Sequence, residues 1–102
     1  MLFVMIRKGG PAWDGDRSLR EQDKWDEHAA FMDALYDEGF VVLAGPLGDG
    51  HPEHRVLQVL DADSEETVNA RLDEDPWTPM GVLTTESVEP WNVLLGDPLS
   101  GR

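Results

Sequence analysis

Apolar residues fill the start of the chain: Leu2-Phe3-Val4-Met5-Ile6 runs without a polar position up to Arg7. A short run that is apolar on both sides predicts a strand over Leu2–Arg7, covered on both faces. Gly9 to Gly15, with Pro11, Trp13 and Asp14, carries turn residues and predicts a loop. Ser18-Leu19-Arg20-Glu21 fits a capping box at a helix start. Trp25, His28, Ala29, Met32, Leu35 and Tyr36 then recur on one helical face, which Phe31 widens. Gly39 predicts a left-handed cap that ends this helix. Phe40–Ala44 reads as a second strand, nearly all apolar and broken by Gly45 and Pro46. Gly48-Asp49-Gly50-His51-Pro52 predicts a loop, and Arg55–Asp61 a third strand. Ser64 caps a short helix with Glu65 and Glu66 in its first turn, the sign the dipole favours, and with Val68 and Leu72 inward. A residue before proline avoids helical geometry, so Pro76 ends this helix near Asp73 or Glu74. Val82–Val88 predicts a fourth strand, Trp91–Leu95 a continuation of it, and Asp97–Arg102 a frayed tail.

The predicted order is β-α-β-β-α-β, the split unit of an α+β, ferredoxin-like fold. Two helices would cover one face of a four-stranded antiparallel sheet. The first two strands are apolar on both sides, so the second face also needs cover. A second copy is the simplest cover, which predicts a homodimer through the sheet faces.

A chain of 102 residues predicts one domain, here over 1–95, with 96–102 as a flexible tail. Eight basic against 21 acidic residues give a net charge of −13, which excludes nucleic acid and anionic membrane surfaces as partners. There is no cysteine, so disulfides, thiolate nucleophiles and thiolate metal sites are excluded. The first apolar run is too short for a secretory core, and Arg7 and Lys8 stand on its wrong side. No apolar run reaches membrane-spanning length. The expectation is a cytoplasmic protein without membrane contact.

Two residues break the local rules. His28 lies three residues after Trp25 and four before Met32, so it shares their inward face. A core histidine satisfied by a backbone carbonyl is the plain alternative. Asp75 lies at the end of the second helix, where the dipole disfavours an acid. An acidic helix end followed by a proline stop is the plain alternative there. If the fold brings the two together, a carboxylate fixes the imidazole tautomer and favours its charged form while burial opposes charging. Such a pair suits general acid–base work. No nucleophile elbow is present, so proton transfer is favoured over acyl-enzyme chemistry. Trp77 is a candidate pocket wall, while Trp25 reads most simply as core. His51-Pro52-Glu53-His54 gathers metal-ligand types in a proline turn but matches no zinc spacing, and no metal or other cofactor is expected.

His28-Ala29-Ala30-Phe31-Met32-Asp33-Ala34-Leu35 with Gly39, then Ala44-Gly45-Pro46-Leu47, Asp75-Pro76 and Val88-Glu89-Pro90-Trp91, occur in an order and spacing that resemble the YCII-related proteins of the dimeric α/β-barrel type. The resemblance covers Leu2 to about Leu95. It implies a ferredoxin-like fold, a homodimer, a His28–Asp75 pair and a ligand pocket between helices and sheet near the dimer interface; the residues expected to bind the substrate are Trp77, Gly45, Pro46 and Trp25. A similar protein is a dehydrochlorinase of chlorinated hydroxylated aromatics, and similar barrels isomerise lactones. The chain departs from shorter relatives in the Gly9–Arg17 loop and in its acid load. The functional expectation is a small cofactor-free lyase or isomerase that moves a proton on a small oxygenated, aromatic substrate. The alternatives are a non-catalytic module that binds a small molecule, and a dimeric accessory protein whose pair is purely structural.

Overall fold

The computed structural model describes residues 1–48 and 54–96. Among them are four strands, β1 (Leu2–Gly9), β2 (Val41–Pro46), β3 (Arg55–Asp61) and β4 (Leu83–Pro90), and three α-helices, α1 (Trp25–Asp37), α2 (Glu65–Leu72) and α3 (Trp77–Met80). The sheet order is β2-β3-β1-β4, every pair antiparallel, as expected for the ferredoxin-like α+β arrangement. Phe3 and Met5 alternate onto the helix-covered face with Leu60 of β3. They pack there with Leu35 and Phe40 and with Val68 and Leu72 of α2. The opposite face carries Val4, Ile6, Leu57 and Leu43, with Leu43 half exposed.

Several predicted boundaries shift, each for a local reason. The Ser18 capping box forms, with Glu21 accepting from the Ser18 N–H at 2.9 Å, but it caps only a single 3-10 turn over Leu19–Glu21. Lys24 then adopts a left-handed conformation (φ 62°), and α1 begins afresh at Trp25. Tyr36 faces outward from α1, 56% exposed, rather than joining the inner stripe. Gly39 has φ 84° and closes α1 as predicted. Gly45 and Pro46 do not end β2. They stay in the ladder, in register with Leu57 and Val56, because β2 is an edge strand, where a proline need not donate. β4 starts one residue late and runs to Pro90, and Trp91 donates only one more bond, to the Leu2 carbonyl at 2.8 Å. Ser64 caps α2 by accepting from Thr67 N at 3.1 Å. α2 stops at Leu72, and the one-turn helix α3, which the sequence reading lacked, follows Pro76. Most of the predicted 48–52 loop, and the 97–102 tail, lie outside the described residues. No helix among the described residues is long and apolar enough to cross a membrane.

Candidate functional site

The turn between α2 and α3 places Asp75. Its backbone N–H still bonds back to Leu72, while its side chain already serves the next element: Oδ1 accepts from the Trp77 N–H at 2.9 Å. An aspartate that caps its own backbone two residues on, followed by proline, is a favoured way to open a helix. Asp75 therefore sits at the positive start of α3 rather than only at the negative end of α2, and the local rule it was expected to break is obeyed.

His28, on the first turns of α1, meets this carboxylate. Its Nδ1 lies 2.8 Å from Oδ2 and 3.0 Å from Oδ1 of Asp75. Asp75 has no exposed surface and His28 is 8% exposed. An ionised carboxylate only accepts, so Nδ1 carries the proton and donates it. Burial pushes the Asp75 carboxyl up, but hydrogen bonds from His28, from Arg7 and from the Trp77 N–H outweigh burial and hold it below its ordinary value. Among the described residues, Nε2 of His28 has no hydrogen-bond partner. With Nδ1 fixed as the donor, the lone pair of a neutral ring sits on Nε2.

A third residue, expected from the sequence only as the end of the first strand, completes the arrangement. Arg7 is 1% exposed; its Nη1 donates to Asp75 Oδ2 at 2.8 Å and its Nη2 to Thr78 Oγ1 at 2.9 Å. Thr78 in turn donates to the Leu72 carbonyl at 2.7 Å, tying α3 back to α2. The signal for Arg7 was present. Phe3, Met5 and Arg7 alternate, so Arg7 had to share the core face. A lone cation there requires a buried anion.

Aromatic rings enclose the imidazole. Trp77 lies flat against His28, centroids 3.9 Å apart and planes within 7°. Trp25 lies tilted at 5.7 Å from His28 and 5.9 Å from Trp77. Trp77 is wholly buried with Val82 and Leu83, so it backs the imidazole as core. Its indole N–H donates to the Asp23 carbonyl at 2.6 Å, pinning the break that precedes α1. Trp13, from the long first loop, meets Trp77 edge-on at 6.4 Å and stacks on His54 at 4.2 Å. Burial pushes the His54 imidazole below its ordinary value. Gly45 and Pro46 stand apart from this group. They lie on β2, two strands from the Ile6–Arg7 stretch of β1, or about 10 Å at the usual strand spacing. Among the described residues no group of three or more histidines and acids is placed to hold a metal. His51 and Glu53 of the His51–His54 cluster lie outside the described residues.

The family model of the YCII-related domain matches residues 1–92. Among solved structures the chain is similar to 5-chloro-2-hydroxyhydroquinone dehydrochlorinase (TftG) from Burkholderia phenoliruptrix AC1100, in complex with 2,5-dihydroxybenzoquinone. The two are 28% identical, with a TM-score of 0.67 over 90% of this chain and 94% of that one. No curated protein matches the sequence.

Proposed function

The chain belongs to the YCII-related domain family, and on that basis we propose that it is a small cofactor-free lyase or isomerase that transfers a proton on a hydroxylated aromatic substrate. One observation carries the reading: Nδ1 of His28 is committed to a buried, ionised Asp75, while Nε2 has no partner among the described residues. A general base needs this asymmetry, with one nitrogen held and the other free to take a proton. Asp75 orients the ring and offsets the charge that forms when Nε2 is protonated. Arg7 keeps Asp75 ionised and Trp77 fixes the imidazole plane. Trp25 would border the substrate. The likeness to a dehydrochlorinase whose substrate is a chlorinated hydroxyhydroquinone supports a phenolic ring, and removal of a ring hydroxyl proton is a step that elimination from such a ring requires.

The active form in this proposal is a homodimer, closed through the sheet face that carries Val4, Ile6, Leu43 and Leu57, and it works in the cytoplasm. The test is chloride release from 5-chloro-2-hydroxyhydroquinone. His28→Gln should lose on the order of 10²–10⁴ in rate. A His28→Gln variant with full turnover overturns the assignment. Binding of the ring without any product, in wild type, would instead establish the binding module.

A further inference from the structure

Among the described residues four buried side-chain polar atoms have no partner, and two of them lie on adjacent strands: Nε of Arg7, whose Nη1 holds Asp75, and Oε1 of Gln58. Both side chains are only 1% exposed. Native proteins satisfy the great majority of such groups, so two orphans close together call for a missing partner. The register places them as neighbours. Met5 pairs with Gln58 and Arg7 with Val56, so Arg7 and Gln58 share the helix-covered face as diagonal neighbours on adjacent strands. Such positions lie about 7–8 Å apart, within reach of one bridging group for side chains of this length. On the β2 side Gln58 is paired with Ala44, which contributes only a methyl group.

The two orphans are complementary. The guanidinium Nε–H donates and the carboxamide oxygen accepts. The group that satisfies both must accept one hydrogen bond and donate another. Neither a carboxylate nor an ammonium ion does this; a hydroxyl does. Arg7 meanwhile holds the carboxylate that orients His28.

We infer that Arg7 Nε and Gln58 Oε1 form a hydroxyl-binding subsite next to the His28–Asp75 pair, and that Gln58 is a specificity-determining residue for a ring hydroxyl of the substrate. The inference rests on the phenolic reading above and adds to it the residue that selects the hydroxyl. It makes no use of proton transfer by His28, so the two can fail separately.

The test compares hydroquinone with p-xylene, which replaces each hydroxyl by a methyl of similar size. Binding to the full chain is followed by ligand-observed NMR in wild type, Gln58→Met and Gln58→Leu. Wild type should prefer hydroquinone. Both variants should lose that preference by on the order of tenfold or more, the cost of an unmet buried hydrogen bond, with p-xylene binding unchanged. Both should also melt at or above the wild-type temperature, since an orphaned acceptor has been removed. If the preference survives in two folded variants, the subsite is overturned and a structural water is the partner of the orphans. If wild type shows no preference for hydroquinone, the hydroxyl assignment falls. Failure of the proton-transfer reading would show elsewhere, as a His28→Gln variant with full turnover and an intact hydroquinone preference.

Discussion

Asp75→Asn isolates how much of the fold hangs on one carboxylate. The side chain has no exposed surface and receives three hydrogen bonds, from His28 Nδ1, Arg7 Nη1 and the Trp77 N–H. The amide keeps the shape but loses the charge, and its NH2 group must point a donor at a donor. The larger effect falls on Arg7, a guanidinium at 1% exposure left without its counter-ion. Removing one member of a buried ion pair costs about 3–5 kcal/mol. A domain of this size holds about 5–15 kcal/mol in all, so the change takes a fifth or more of the total. At roughly 4–8 °C per kcal/mol, the melting temperature should fall by about 12–40 °C. Urea unfolding followed by circular dichroism measures this as a lower midpoint at constant slope. The double variant Arg7→Met with Asp75→Asn removes the stranded charge and should recover at least about 1 kcal/mol relative to Asp75→Asn alone. A single variant within about 1 kcal/mol of wild type, or a double variant that costs the sum of the two singles, would refute the reasoning.

Two further outcomes follow from groups already described. Burial holds the native His54 below its ordinary 6.5, so the unfolded chain binds more protons just under that pH, and the stability lost begins below about 6.5 as the pH falls. Asp75, also depressed, adds its loss only in stronger acid, below its ordinary 3.8 and through its lower native value. Melting curves from pH 8 to 5 should be flat and then decline, with His54→Phe weakening the decline; equal slopes in both proteins would count against this. In sedimentation, wild type should run as a dimer at micromolar concentration, and Ile6→Lys with Leu57→Lys should give a folded monomer; a monomeric wild type sinks the sheet-face dimer.

Much of this was legible in the chain because each signal was local. Alternation and run length gave the strands, the Ser64 cap and Gly39 gave helix ends, and the spacing around His28 put its ring inward. The misreadings came where tertiary position overrode a local rule. Gly45 and Pro46 remain in β2 only because that strand is an edge. The helix expected from Ser18 onward is cut at Lys24, where Trp77, 53 residues further on, binds the carbonyl of the preceding residue. α3 escaped notice because four residues carry no period, and the meaning of Asp75 changed with it. Arg7 and Gln58 were readable from alternation, but Arg7 stood at the end of the first predicted strand and Gln58 inside the third, and neither position alone signals a site.

Because Asp75 opens a helix and neutralises Arg7 as well as holding His28, selection for folding alone would preserve it. A descendant without the proposed proton transfer would still inherit the aspartate and the arginine, whereas position 28 would need only a side chain that donates to Asp75 and packs against Trp77. On the proposed function, the histidine is the informative letter, and an intact Asp75-Pro76 beside a replaced His28 would mark a relative that keeps the fold without the proton transfer.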